Sequence, residues 1–151
     1  MTLNDVLTKQ NAITKLNFKE GDKELSKQLK VKIMRIRMAY SKITNQFNEE
    51  SKEFVKQLIP AELTLLSNKE NKSEEELCRF NELNAKINSE YQEYLVQKGL
   101  ESYELTIEDK FNLDEYSDII DINSGNDVII NGNKIRAVDF LEVIYDLFVK
   151  E

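Results

Sequence analysis

The sequence predicts a mainly α-helical domain: a long antiparallel helical hairpin, a short N-terminal helix before it and a small C-terminal α+β cap containing a β-hairpin. Three observations predict it. From Asp22 to Ile59 there is neither Gly nor Pro, and Leu29, Ile33, Ile36, Tyr40, Ile43, Phe47 and Phe54 follow at spacings of 4, 3, 4, 3, 4 and 7, the apolar seam of a heptad pattern with Glu50 at its vacant position. Ser73-Glu74-Glu75-Glu76 is a capping box that opens a second helical stretch. Beyond Gly99 the period changes, and Asn131-Gly132 stands between β-branched residues, the strongest short-range signal of a β-hairpin because both central positions of its turn need positive φ.

Taken in order, Leu3 to Leu16 reads as a helix with Leu3, Val6, Leu7, Ile13 and Leu16 near one face and Asn4-Asp5 at its cap, and Asn17 to Gly21 reads as a break. Asp22 is read as the cap of the long helix, about 37 residues and about 55 Å in length. That length exceeds what a small core covers, so the helix needs a partner along its side. Pro60 ends or kinks it. Ala61 to Leu66 reads as a short helical continuation or an apolar bend, and Ser67 to Lys72 as a polar turn. The second helix runs from the Ser73 box to about Lys98, with Leu77, Phe80, Leu83, Ile87, Tyr91, Tyr94 and Leu95 as its stripe and Gly99 as its stop. The two long helices are expected to pack antiparallel, the first helix lying across their open end.

In the cap, Tyr103 to Ile107 alternates as a short strand and Asn112 caps a helix through Tyr116, Ile119 and Ile120. Asp121 to Asn126 reads as a loop, Asp127 to Arg136 as the β-hairpin, and about Val138 to Val149 as the last helix. Two strands are marginal alone, so the cap must pack on the helices or on a partner. The chain is expected to be a single domain, 1–151, with a helical hairpin region, 1–99, and an α+β cap, 100–151, and without internal repeats.

Composition removes much chemistry. The 151 residues include no His, one Cys and four Gly. That excludes Ser-His-Asp and Cys-His catalysis, an internal disulfide, an ordinary zinc site and the Gly-rich nucleotide loops. No metal and no cofactor is expected. Cys78 reads as a small, part-buried apolar residue within a helical pattern, in preference to a reactive thiol. Asp121 to Asp127 has acceptors at alternate positions as a calcium loop does, but Asn126 occupies the place of the sharp-turn Gly and Gly132 that of the bidentate Glu. Carboxylate pairs such as Glu108/Asp109 and Asp114/Glu115 have no substrate clamp beside them, so no enzyme activity is expected and no catalytic residue is assigned. No apolar run reaches the ~18–20 residues of a membrane span, and Met1 to Val6 lacks the basic and apolar regions of a secretory signal. The expectation is a soluble protein of the cytoplasm, without a membrane partner.

The net charge of -7 is the average of two unlike parts. Residues 1–60 carry 12 Lys+Arg against 7 Asp+Glu, and residues 61–151 carry 9 against 21. The basic stretch spans 23–42. Lys27, Lys30, Lys32, Arg35 and Arg37 are therefore candidate phosphate contacts. The competing reading sets these residues against an acidic flank of the second helix, Glu74, Glu75, Glu82, Glu90 and Glu93, where charges beside a seam fix orientation. Candidate protein-interface residues are Tyr40, Phe47, Phe54, Tyr91, Tyr94 and Tyr103, since aromatic side chains offer large contact area at small entropic cost.

The element pattern resembles that of small, uncharacterised helical proteins encoded by tailed bacteriophages. It comprises a leading helix ending at Leu16, a long polar helix with Leu25, Leu29 and Ile33, a second through Phe80 and Tyr94, then Phe111-Asn112-Leu113, Val128-Ile129-Ile130, Ile135 and Phe140-Leu141. The resemblance implies a virion or assembly component, in the host cytoplasm or the virion, and carries no active-site residue with it. The expected function is that of a non-enzymatic assembly or adaptor protein whose partners are other proteins, copies of itself or virion proteins. The alternatives are an inhibitor of a host factor and a nucleic-acid accessory protein using the basic helix.

Overall fold

The computed structural model describes residues 1–103 and 110–149. Within them the elements are α1 (Leu3–Ile13), β1 (Lys19–Glu20), β2 (Lys23–Glu24), α2 (Lys27–Leu58), α3 (Ala61–Ser67), α4 (Glu74–Gly99), α5 (Leu113–Asn123), β3 (Val128–Ile130), β4 (Asn133–Ile135) and α6 (Ala137–Phe148). The protein is mainly α, with a long helix, a helix pair and two small antiparallel β-hairpins.

Several boundaries move for identifiable reasons. Thr2, not Asn4, caps α1, in a reciprocal capping box with Asp5. The segment read as a break holds β1 and β2, paired through Lys19↔Glu24 and Glu20↔Lys23. Asp22 is therefore a turn residue, and the cap of α2 is Ser26, whose hydroxyl accepts from the Leu29 N–H at 3.2 Å. With 32 residues, α2 is about 48 Å long rather than 55 Å. Asp121 to Asn123 is the last part of α5 rather than loop. The strand read at Tyr103 to Ile107 lies, apart from Tyr103, outside the described residues. The second hairpin pairs Val128↔Ile135 and Ile130↔Asn133 around Asn131 and Gly132, both at positive φ, as the sequence predicts.

The core joins the two sides of residue 99. Val6, Ile13, Leu29, Ile33 and Ile36 from the N-terminal part close on Phe111, Ile119, Phe140 and Ile144 from the C-terminal part. Each such side chain is worth about 1.5–3 kcal/mol of burial, so neither part has a core of its own. At the open end of the helical hairpin, α1 packs along the first half of α2, meets the end of α4 at Gly99 and lies against α6. The long helix is thereby divided. Up to Tyr40 its seam faces this head, and beyond it the helix runs out beside α4 as an arm, with α3 closing the far end.

An arrangement of helix, hairpin and helix occurs twice in the head at one constant separation. Cap Thr2 corresponds to Asn112, the first helical residue Leu3 to Leu113, box partner Asp5 to Glu115, left-handed turn residue Gly21 to Asn131, and helix start Lys27 to Ala137. Each pair is 110 positions apart. Over 2–27 against 112–137 the only identical pair is Leu3 and Leu113. The expectation of a chain without internal repeats is corrected at the level of structure.

Chain exit and return are fixed beside each other. Thr2 and Ser102 form an antiparallel bridge, and the Tyr103 N–H donates to the Met1 carbonyl at 2.7 Å. Gly99, the last residue of α4, lies where a Cβ would come within 2.7–3.0 Å of the Asn4 side chain. The helix ends with Leu100 in the right-handed region, so Gly99 serves close packing on α1 and not a left-handed cap.

Candidate protein-interaction surface

The arm is built by the second half of the α2 seam and the facing stripe of α4. Phe54 and Tyr94 stack with ring centroids 4.0 Å apart and planes 11° from parallel, and Tyr91 follows at 6.3 Å from Tyr94. All three rings are half-buried, as is Phe47. Glu50, the polar residue in the vacant seam position, accepts from Lys98 at 2.9 Å, and Lys98 also reaches Glu101 at 3.2 Å. The Lys98 hydrogen bond holds the Glu50 carboxyl below its usual range, and Glu50 raises Lys98 in turn. Nearer the tip, Arg79 forms a two-pronged pair with Glu62 of α3 at 2.9 and 3.1 Å, while Leu63 and Leu83 are buried. A two-helix arm covers only one face of each helix. Open grooves remain on both sides, one of about 470 Å³ beside Asn48, Ser51, Val55 and Tyr91 and one of about 290 Å³ beside Leu58, Glu90 and Tyr94. Ser51 Oγ is buried with no hydrogen-bond partner among the described residues.

Not every predicted interface residue belongs to this surface. Tyr40 is 8% exposed and meets Phe148 edge-on at 6.3 Å inside the head, so it is a core residue and offers no contact face. Tyr103 sits at the junction of head and arm, its hydroxyl donating to Glu101 at 3.2 Å. Phe47, Phe54, Tyr91 and Tyr94 are the ones brought together along the arm.

The five candidate phosphate contacts separate in the same way. Lys30 is paired with Glu24. Lys32 donates to the Lys110 carbonyl at 2.7 Å and to Glu115 at 2.9 Å, over the Phe111 ring. Arg37 donates from Nε to the Ile13 carbonyl at 3.1 Å and from a terminal nitrogen to the Leu16 carbonyl at 2.7 Å, above Phe18. Its task is to satisfy carbonyls left open at the end of α1, and burial lowers its pKa. Lys27 and Arg35 alone project to solvent without an ion pair among the described residues. The expected pairing with the acidic flank of α4 is not found. No described ion pair joins the basic stretch to Glu74, Glu75, Glu82, Glu90 or Glu93, because that stretch lies on the head, where Glu24 and Glu115 meet it.

Sequence reasoning passed over two features. Val31, Met34 and Met38 are 42, 50 and 68% exposed, spaced 3 and 4 on the face of α2 opposite its core seam. They form a second apolar row that the search for one seam hid. Asn123, read as loop, is buried and bonds the backbone of Asn17.

An open hollow of about 510 Å³ is lined by Asp22, Lys23, Glu24, Asp118 and Asp121 between the first hairpin and α5. Among the described residues no three His, Cys, Asp or Glu side chains converge as a metal site. Asp121 to Asn123 is helical and does not present loop ligands. Cys78 is exposed and free, not part-buried as expected, because it lies on the outer side of α4, away from buried Leu83. No described helix is long and apolar enough to cross a membrane. The chain matches no family model, no curated protein and no solved structure.

Proposed function

We propose that the protein is a non-enzymatic assembly or adaptor protein acting through protein–protein contacts, with the arm as its main partner-binding element. The observation that carries this reading is the half-buried Phe54–Tyr94–Tyr91 row on an arm of only two helices, flanked by a groove on each side. An added helix in either groove completes the bundle that two helices leave open, and exposed aromatic rings are favoured anchors for it. The resemblance to helical proteins of tailed phages favours virion or assembly proteins, or further copies of the chain, as partners. A nucleic-acid role is the weaker reading, because Lys30, Lys32 and Arg37 are engaged within the protein.

The test uses Val55→Asp with Tyr91→Asp, which charges one groove while keeping the Phe54–Tyr94 stack. A label on Cys78 of α4 reports the arm's surroundings. Light scattering and label response are expected to show association of the wild type, with itself or with purified virion proteins of its source, and loss of that association in the variant at unchanged helicity. A wild type that associates with neither, or a variant that associates equally well, overturns the reading.

A further inference from the structure

We propose that the heads of two copies dock head to tail, the basic outer face of α2 in one copy against the acidic outer face of α6 in the next. Outward from the core, α2 presents Val31, Met34 and Met38 flanked by Lys27, Arg35 and Lys42, all six exposed and none of the cations ion-paired among the described residues. Between Lys27 and Asn48 the helix has six cations, Lys27, Lys30, Lys32, Arg35, Arg37 and Lys42, and no acid. Outward from the same core, α6 presents Val138 at 63% and Val143 at 40% exposure, with Glu142 and Asp146 exposed and without an ion pair among the described residues. The segment 111–149 carries eight acids against Lys134 and Arg136, so the surroundings of the α6 face are acidic as those of the α2 face are basic.

These faces cannot meet within one molecule. The opposite sides of both helices, Leu29, Ile33 and Ile36 on α2 and Phe140, Leu141 and Ile144 on α6, are buried in the common core, so the outer sides face away from it. Complementary faces held apart on one molecule meet only between molecules. Since they are two different surfaces, the contact is heterologous, and each copy added leaves one face of each kind open for the next. The apolar centre with charged flanks is the composition of a protein contact. A phosphate backbone would use the cations and leave Met34 and Met38 without a role.

This inference rests on the assembly reading but uses the head in place of the arm, so the two fail separately. One variant, Met34→Glu with Arg35→Glu, spoils the α2 face, and another, Val138→Lys with Glu142→Lys, spoils the α6 face. Every substituted residue is exposed, and circular dichroism verifies the fold. The wild type is expected to gain mass in light scattering between about 1 and 100 μM, less so at high salt, while each variant alone associates about tenfold more weakly or worse. A 1:1 mixture of the two variants is expected to regain association, because a sound α2 face meets a sound α6 face and the two reversed faces are again opposite in charge. A wild type that stays monomeric overturns the head contact. So do variants that associate as the wild type does, and in that case assembly through the arm stands. A mixture no larger than its separate components also overturns it.

Discussion

The side-chain amide of Asn123 bonds both backbone groups of Asn17, 106 residues away: Oδ1 accepts from the Asn17 N–H at 2.8 Å and Nδ2 donates to the Asn17 carbonyl at 3.2 Å. A third bond runs to the Ile119 carbonyl at 2.9 Å. Asn123 is thus the polar tie between the two repeated units, holding the chain that leaves α1 against the end of α5. Its counterpart in the first unit, Ile13, is fully buried and apolar, so the two units use one position in opposite ways.

Asn123→Ala is expected to cost about 1–3 kcal/mol, since it removes the bonds to both part-buried backbone groups of Asn17. Urea unfolding measures it. Asn123→Asp is expected to be no better, because it keeps the acceptor, loses the donor and buries a charge.

Arg37→Ala is expected to cost about 1.5–3 kcal/mol by removing charged hydrogen bonds to two carbonyls. Arg37→Lys is expected to recover less than half, because one ammonium does not reproduce the planar fork that reaches both Ile13 and Leu16. Arg35→Ala, two positions earlier and exposed, is expected to change stability by about 0.5 kcal/mol or less. Denaturant midpoints of the three proteins compare them directly.

The Glu50–Lys98 pair makes arm order depend on pH at both extremes. Glu50 has a folded pKa below its ordinary 4.5. Its contribution is complete above pH 4.5 and is lost as pH falls through the folded value. Lys98 has a folded pKa raised above 10.5, so its contribution is complete below pH 10.5 and is lost as pH rises through the folded value. Near-UV circular dichroism of the tyrosines, undisturbed by Trp, is expected to show an acid loss of arm signal that Glu50→Gln diminishes. An unchanged acid step in that variant would show that other carboxylates govern it.

Gly99→Ala and Asn4→Ala are expected to be coupled. Alone, Gly99→Ala forces the Asn4 side chain aside, which offsets the helix-propensity gain of about 1 kcal/mol from Gly to Ala. With Asn4→Ala present the obstruction is gone and that gain is released. A double-mutant cycle reads the coupling as a positive departure from additivity.

What the sequence discloses depends on whether local chemistry or distant packing decides an element. The Ser73 box, Asn112 cap and Asn131-Gly132 turn are legible because each is settled within a few residues. The first hairpin is not: Lys19-Glu20 and Lys23-Glu24 have no strand propensity, and the pairing is held at its base by the Leu25 N–H donating to the Phe18 carbonyl at 2.8 Å, with Leu25 buried in the core. The α2 seam is legible as an apolar face, but periodicity does not say what covers it. One half covers the head and the other the arm, which is why Tyr40 is core while Phe54 is half-exposed. Val31, Met34 and Met38 went unread because one seam already accounted for the helix. The repeat leaves almost no trace in residue identity, since caps as different as Thr2 and Asn112, or turn residues as different as Gly21 and Asn131, satisfy the same backbone requirement.

Because α2 passes from head to arm without a break, the arm is a lever with its fulcrum near Tyr40. Residues 41–58 extend about 27 Å from it, and α4 brings the load back to the Thr2–Ser102 bridge. A load on the tip would therefore bear at once on the helix that seats the first hairpin and on the bridge that holds the residues before α1.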